Sequence, residues 1–181
     1  MTGATRHPTR WVALGVLVVV AALVAVLAAS PNYQTRQVAN ASIGHVVPLA
    51  GPTLTGSGFD LTAERGRWVV VNFFASWCGP CQQEEPELVT FAFEHRAPTD
   101  TALVGVVVDD SDTAARTYQQ QQGATWPTLA DPDGSLGVRW AVLGQPETFL
   151  VDPQGVVVAH IDGPVTAAYL DRELTAFGAP T

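Results

Sequence analysis

The chain alternates between apolar runs and short polar breaks, and the spacing of these runs predicts most of its secondary structure. Residues 11–29 form the longest apolar run and carry no charge. Residues 68–75, WVVVNFFA, are apolar, β-branched or aromatic apart from Asn72, which is typical of a central strand covered on both faces. We expect a second buried strand at residues 102–108.

The segment after the first buried strand has the pattern of a helix. Gly79 and Pro80 break the strand pattern, and apolar residues then recur at helical spacing over residues 82–96. Acidic residues lie early in this segment and an arginine lies at its end, as the helix dipole favours. The sequence therefore predicts a strand followed directly by a helix.

The rest of the chain continues with further strands and helices. They are a helix at 112–122 that ends at Gly123, a short helix at 135–140, a strand at 148–151, a turn at 152–155, a strand at 156–160 and a helix at 165–177. The turn makes the last two strands an antiparallel hairpin. This order predicts an α/β fold with a mixed sheet between helices.

Residues 11–29 also have the length of a membrane-spanning helix. At about 1.5 Å per residue they nearly match a hydrocarbon core of about 30 Å. Arg6 and Arg10 precede them, and positive flanks stay in the cytoplasm, so we expect residues 1–10 there and the later residues in the periplasm or outside the cell. A cleaved signal peptide is the alternative, because small residues follow at 28–30.

The sequence after the apolar run predicts a tether and one domain. Residues 30–42 are polar and aperiodic, as in an extracytoplasmic linker. Residues 43–181 then form the predicted domain. A chain of 181 residues has room for one domain and a remainder, but not for several domains.

Charge and cysteine content exclude several classes of function. The 9 basic residues are all arginine and face 17 acidic residues, so the net charge of −8 argues against nucleic acid as the main partner. Two cysteines are too few for a disulfide-stapled mini-protein or a four-cysteine zinc site. They can still bond to each other.

Cys78 and Cys81 lie where the first buried strand meets its helix. Backbone N–H groups and the dipole at a helix N-terminus stabilise a thiolate, which is the nucleophilic form of cysteine. Cys81 faces the same side of the first turn and can attack a mixed disulfide on Cys78. The alternatives are a permanent disulfide or half of a zinc site, which would need ligands from His45, His95 or His160.

The run WVVVNFFASWCGPC resembles the active-site strand and helix of the thioredoxin superfamily. More narrowly, the chain is similar to the membrane-anchored TlpA/ResA/CcmG (DsbE-like) thiol-disulfide oxidoreductases of bacteria. Asn72, Glu84 and the segment QPETFLVD at 145–152 support this narrower group. The resemblance covers about residues 43–178 and implies a thioredoxin-like fold, with a central mixed sheet flanked by helices and preceded by one transmembrane helix.

The resemblance makes Glu84 a candidate for tuning the cysteines. Cytosolic thioredoxins resemble one another in placing a buried acid where this chain has Asn72, which cannot shuttle a proton. Glu84 lies three residues after Cys81 and can take over proton transfer or raise the pKa of a thiol, which would make a better reductant. The alternative is that Glu84, like Glu85 and Glu87, complements the helix dipole on a solvated face.

The resemblance also assigns roles to the segment around Pro146. This residue resembles the proline that thioredoxin-fold proteins hold in cis opposite the cysteines, where it exposes the backbone of Gln145 to a substrate strand. Glu147 is either a carboxylate near the cysteines, as in the family, or an acid at the sheet edge. The expected substrate-binding residues are Trp77, which would cover the disulfide, Gly79, Pro80 and Gln145.

The implied function is that of an anchored extracytoplasmic enzyme. The resemblance implies that it reduces protein disulfides, such as that of apocytochrome c before haem attachment, and that a membrane electron carrier re-reduces it. We expect no cofactor besides the redox-active disulfide, and no metal. The aspartates at 109–112 and 131–133 lack an EF-hand pattern and are better explained as turns or helix caps.

Three other functions compete with this one. A disulfide oxidase would have the same fold and the opposite direction of electron flow, which the sequence leaves open. A peroxidase is disfavoured, because the peroxiredoxins that the chain resembles carry Thr or Ser where it has Ala75. A Sco-type copper chaperone is disfavoured because its pattern has three residues between the cysteines.

Overall fold

The computed structural model describes residues 8–28, 41–97 and 101–180. The chain divides into two units, Met1–Val38 and Ala39–Thr181. The first unit contains helix α1, Pro8–Ala28. Within the described residues, no helix has both the length and the apolar character that crossing a membrane requires. Most of the predicted tether lies outside the described residues.

The second unit contains a sheet with helices around it. Its strands are β1 (Ala50–Pro52), β2 (Gly58–Asp60), β3 (Val69–Phe74), β4 (Ala102–Val107), β5 (Thr128–Ala130), β6 (Glu147–Val151) and β7 (Val157–Asp162). Its helices are α2 (Gly79–Glu94), α3 (Asp112–Gln122), α4 (Ser135–Trp140) and α5 (Ala167–Ala176), with a 3-10 helix at Leu61–Glu64.

The main sheet has the strand order β5-β4-β3-β6-β7. Strands β3, β4 and β5 run parallel to one another, whereas β6 is antiparallel to both β3 and β7. The predicted mixed sheet and the final hairpin are therefore confirmed. The hairpin turns at Gly155, whose φ of +75° favours glycine and whose N–H donates to the Asp152 carbonyl at 2.7 Å.

Strand β3 lies at the centre because, apart from Asn72, its side chains are apolar on both faces. All six of its residues are buried. On one face Phe73 packs against Trp140 and Phe149, with ring centroids 5.7 and 5.5 Å away. On the other face Val70 packs in a second apolar cluster with residues of α2 and α5. The strand that leads into the cysteine segment is thus covered on both faces and packed tightly.

Some predicted boundaries were wrong, and three short strands were not predicted. Helix α2 begins at Gly79 rather than residue 82, because Gly79 and Pro80 fill the first helical positions, where a missing N–H costs nothing. It also ends earlier, at Glu94. Strands β1, β2 and β5 span only three residues each, which is too short for an apolar alternation to stand out.

Candidate active site

Cys78 and Cys81 form a disulfide at the start of α2, with their Cα atoms 5.2 Å apart. Cys78 is the N-cap residue of this helix, and its Sγ accepts a hydrogen bond from the Cys81 N–H at 3.2 Å. Cys81 is inaccessible to solvent, whereas Cys78 is 4% exposed. This geometry supports the assignment of Cys78 as the nucleophile, because a client sulfur can reach only that residue from outside.

The helix N-terminus explains how Cys78 would be activated. The first backbone N–H groups of α2 have no partner within the helix and point towards the cap residue. On reduction, the Cys78 thiolate would keep its hydrogen bond from the Cys81 N–H and lie at the positive end of the helix dipole. Both effects favour the charged form of the sulfur.

The segment around Pro146 lies against the disulfide. The Gln145–Pro146 peptide bond is cis, as predicted. The Gln145 carbonyl oxygen lies 3.5 Å from Cys78 Sγ. An extended client strand that paired with the backbone of Gln145 would therefore bring its own sulfur close to Cys78.

Exposed residues surround the buried sulfurs. Trp77 is 60% exposed, and its indole N–H donates to the Asp109 carbonyl at 2.9 Å, which fixes the ring beside the disulfide. Gly79 and Pro80 are also exposed. The structure thus places Trp77, Gly79 and Pro80 on the surface next to Cys78, while their contact with a substrate stays a prediction.

Glu84 is buried, so its interpretation as an acid on a solvated face is wrong. Only 2% of the residue is exposed. Its Oε1 accepts a hydrogen bond from Asn72 Nδ2 at 2.9 Å, and its Oε2 accepts one from the Val165 N–H at 3.0 Å. Burial raises the pKa of Glu84 to about 7, although these two hydrogen bonds oppose the rise. Near neutral pH this carboxyl group can therefore gain or lose a proton.

Asn72 connects Glu84 to the centre of the sheet. Its side chain also donates to Thr148 Oγ1 at 3.1 Å, so the polar group in β3 is satisfied although it is buried. From the sequence, Asn72 and Glu84 are related only as two features of the family resemblance, and no contact between them is predicted. The contact itself joins β3 to α2 and fixes the Glu84 carboxyl one helical turn beyond Cys81.

Glu85 is the acidic residue that sequence reasoning missed. It was expected on the solvated face of the helix, but only 2% of it is exposed. Burial and the neighbouring Glu84 charge raise the pKa of Glu85 to about 7, and Tyr118 opposes the rise. The sequence signal for this burial is helical spacing. Glu85 lies four residues after Cys81 and three before Leu88, which places it on the helix face that packs inward.

Glu87 serves a different helix from the one predicted. It is half-buried, and its Oε2 accepts a hydrogen bond from the Ala167 N–H at 3.0 Å. Ala167 is the first residue of α5, so Glu87 complements the N-terminus of α5 rather than that of its own helix. This contact helps to hold α5 against α2.

Glu147 is not at a sheet edge, because β6 lies between β3 and β7. It is buried, and its Oε1 accepts hydrogen bonds from the N–H groups of Leu143 and Gly144 at 2.9 and 3.0 Å. Its Oε2 is hydrogen-bonded to His160 Nε2 at 3.0 Å. Glu147 therefore ties the loop before Pro146 to β7 and holds that loop in place.

The arrangement of fold and cysteines is shared with known proteins. Residues 43–160 match the AhpC/TSA family, and this segment is more than half of the chain. The chain belongs to the AhpC/TSA family.

Within the AhpC/TSA family, the chain is similar to thiol-disulfide oxidoreductases. It is 34% identical to the thiol:disulfide interchange protein DsbE homolog of Paracoccus denitrificans, over 75% of each chain. It is 32% identical to the thiol:disulfide interchange protein HelX of Rhodobacter capsulatus, over 67% of each chain. With the thiol-disulfide oxidoreductase ResA of Bacillus subtilis the identity is 29%, over 64% of each chain. The predicted relation to the DsbE and ResA group is confirmed.

Solved structures in this group have the same fold. The thiol:disulfide interchange protein of Chlorobium tepidum TLS, described as a thioredoxin family protein, superposes with a TM-score of 0.65. It is 28% identical, over 72% of this chain and 93% of the other. DsbF of MTB superposes with a TM-score of 0.66 and 30% identity, over 74% and 98% of the two chains. The thioredoxin-like fold is confirmed, and this AhpC/TSA family member is an enzyme of the thiol-disulfide oxidoreductase type.

The aspartates outside the redox site of this AhpC/TSA family member act as local caps. Asp131 accepts hydrogen bonds from the N–H groups of Leu136 and Gly137 at 3.0 and 2.8 Å, and Asp133 accepts one from Ser135 at 3.1 Å. Over residues 8–28, 41–97 and 101–180, no group of three or more His, Cys, Asp or Glu side chains is placed to hold a metal ion.

Proposed function

We propose that the enzyme reduces disulfides of protein clients outside the cytoplasm, including the disulfide of apocytochrome c before haem attachment. The observation that carries this proposal is the geometry at Cys78. This sulfur lies at a helix N-terminus, 3.5 Å from the carbonyl oxygen of the half-buried Gln145, while its partner Cys81 is fully buried. Such a site accepts an extended protein segment and performs exchange at one accessible sulfur.

Each turnover proceeds through a mixed disulfide. The Cys78 thiolate attacks one sulfur of the client disulfide, so that a bond forms between Cys78 and the client and the client S–S bond breaks. Cys81 then loses its proton and attacks Cys78 Sγ, and the client leaves with both of its sulfurs reduced. The two electrons come from the enzyme dithiol, and a membrane electron carrier restores it.

Glu84 supports the reducing direction of this cycle. Its carboxyl group lies one helical turn beyond Cys81 and is removed from water. When it is ionised, its charge disfavours a Cys81 thiolate and so makes the reduced state of the enzyme less stable. A dithiol that is less stable relative to its disulfide gives up its electrons more readily.

A direct test uses the reduced full-length chain and an oxidised peptide that contains the C-x-x-C-H motif of haem attachment. We expect rapid reduction of the peptide and a reduction potential of the enzyme below about −200 mV. The Cys78→Ser variant provides the control without a nucleophile. A potential near about −120 mV, together with net oxidation of reduced peptide, would instead establish a disulfide oxidase.

We further propose that residues 11–29 anchor the enzyme in the membrane, with the domain from residue 43 onwards outside the cytoplasm. The proposal is supported by the absence of charge in this segment and by Arg6 and Arg10 before it. Full-length chain should remain with the membrane fraction after washing with high salt and alkali, and protease added to spheroplasts should digest its domain. Full-length chain in the wash supernatant, or domain protected from protease, would contradict this proposal.

A further inference from the structure

Glu85 is a buried acid that the proposed exchange cycle does not use. Its Oε1 has no hydrogen-bond partner among the described residues, although the side chain is removed from water. A buried carboxyl oxygen without a partner destabilises the fold, and the penalty is smaller when the carboxyl group is protonated. Such a group in a native structure calls for a functional explanation. Glu84, the adjacent residue, has both of its oxygens hydrogen-bonded and is held in one orientation.

The surroundings of Glu85 connect it to the redox pair. Glu84 and Glu85 follow Cys81 by three and four residues, and these are the spacings that bring side chains of a helix onto the face of Cys81. From α3, Tyr118 packs in the apolar cluster that contains Cys78 and Cys81.

Tyr118 is the residue of α3 that interacts with Glu85. It lines a surface hollow of about 520 Å³ between α2 and α3, yet its hydroxyl oxygen is buried and has no hydrogen-bond partner among the described residues. The hydroxyl lies close enough to Glu85 for each group to shift the pKa of the other. Among the described residues, the titratable groups that shift the pKa of Glu85 are Glu84 from its own helix and Tyr118 from α3, and neither is a cation.

We propose that Glu85 is a second acid of the redox site, and that the two buried carboxyl groups of Glu84 and Glu85 compete for ionisation as a coupled pair beside Cys81. This inference rests on the proposed exchange at Cys78 and Cys81 and adds a residue that controls its proton. Glu85 does not react with the cysteines itself. It controls whether the Glu84 carboxyl group is ionised, and it is therefore a positioning residue.

Two effects make the carboxyl groups compete. Burial raises the pKa of each group, and the Glu84 charge raises the pKa of Glu85 further. Because like charges that share a dry site suppress each other's ionisation, the two groups titrate as a coupled pair. The pair can hold a proton and a negative charge at the same time, which a single carboxyl group cannot do.

A carboxyl pair that can both accept and hold a proton suits the step in which Cys81 attacks the mixed disulfide. The Cys81 thiol must lose its proton inside the protein, and an ionised Glu84 can accept it while Glu85 stays protonated. The Cys81 sulfur then bonds to Cys78 Sγ, the bond from Cys78 to the client breaks, and the electron pair leaves on the client sulfur. The proton on the carboxyl pair passes to the departing thiolate or to water.

The coupling is measurable by carbon NMR of glutamate carboxyl groups in the oxidised full-length chain. In the wild type we expect Glu84 to titrate over a broad range around neutral pH. In Glu85→Gln the Glu84 midpoint should fall by at least about half a pH unit and its curve should become steeper, because the competing charge is gone. Glu94→Gln, which changes an exposed acid of the same helix, should leave Glu84 unchanged.

The reciprocal variant, Glu84→Gln, provides a second test of the same coupling if Glu85→Gln folds poorly. Coupling between two sites is mutual, so Glu84→Gln must lower the midpoint of Glu85 as well. Unchanged midpoints in the folded variants would overturn the proposal. So would a Glu85 that titrates at the ordinary value of an exposed carboxyl group.

A second readout links the pair to the cysteines. In a Cys78→Ser background the only thiol is Cys81, and its pKa can be followed by the ultraviolet absorbance of the thiolate. Adding Glu85→Gln should lower this pKa, because both carboxyl groups are ionised at the alkaline pH at which the thiol titrates and the variant retains only one of the two charges. An unchanged thiol pKa would contradict the proposed link, even if the carboxyl groups were coupled.

Failure of this inference is distinguishable from failure of the proposed function. A wild-type chain that reduces client peptide but shows independent titration of Glu84 and Glu85 would overturn only the inference. A chain without thiol-disulfide exchange would overturn the function whatever the carboxyl groups do. The NMR titration does not depend on turnover.

Discussion

Replacing Cys81 with serine is expected to stop turnover and to trap the client on Cys78 as a mixed disulfide. The variant keeps the accessible nucleophile at the N-terminus of α2 but loses the buried sulfur that would release the client. Turnover should fall below about a thousandth of the wild-type rate, because the two cysteines act as a unit. Non-reducing electrophoresis and mass spectrometry would detect the adduct.

The matched control for this prediction is Cys78→Ser. It should lose turnover to a similar degree but form no adduct, since Cys81 is inaccessible to solvent. Trapped client on Cys81 in this variant, or rapid turnover by Cys81→Ser, would contradict the assignment of nucleophile and resolving cysteine.

The free energy of unfolding of the oxidised protein is expected to decrease as the pH rises from about 5 to about 8. Glu84 and Glu85 have pKa values of about 7 in the fold against 4.5 in the unfolded chain. The folded state therefore binds more protons than the unfolded state in this window. The stability that the two protonated carboxyl groups contribute is lost as the pH rises through about 7. At about 1.4 kcal/mol per unit, each carboxyl group accounts for a loss on the order of 3 kcal/mol.

Urea unfolding at several pH values, with the disulfide intact, measures this dependence. Glu85→Gln should flatten the decrease, whereas the exposed control Glu94→Gln should retain it. The lowered pKa values of Asp60 and Asp133 act below this window and do not disturb the comparison. Stability that increases from about pH 5 to about pH 8 would contradict the burial of the two acids.

The sequence predicts the central elements of the fold because their signals are local. The apolar run at β3 needs no partner to be recognised as a buried strand, and Gly123, with a φ of +78°, ends α3 as predicted. Strands β1, β2 and β5 lack such a signal. They exist because neighbouring chain segments supply hydrogen bonds, such as that from the Leu54 N–H to the Thr128 carbonyl at 2.8 Å.

The sequence predicts those parts of the candidate site whose residues lie close together along the chain. The positions of Cys78 and Cys81 follow from the strand and helix on either side of them, whereas the cis bond before Pro146 was available only through the family resemblance. The pKa of Glu85 depends in part on Tyr118 from another helix, and Glu147 is hydrogen-bonded to His160 from the next strand. Such contacts between distant segments have no local sequence signal.

The most direct test of the account is a redox titration of Cys78 and Cys81 in the full-length chain. The protein would be equilibrated in thiol and disulfide buffers of graded potential, its free thiols would be alkylated, and the products would be weighed by mass spectrometry. We expect both cysteines to change together in one two-electron transition between dithiol and disulfide. A pair that stays in one state across the accessible range, or that reacts as two independent thiols, would contradict the central claim.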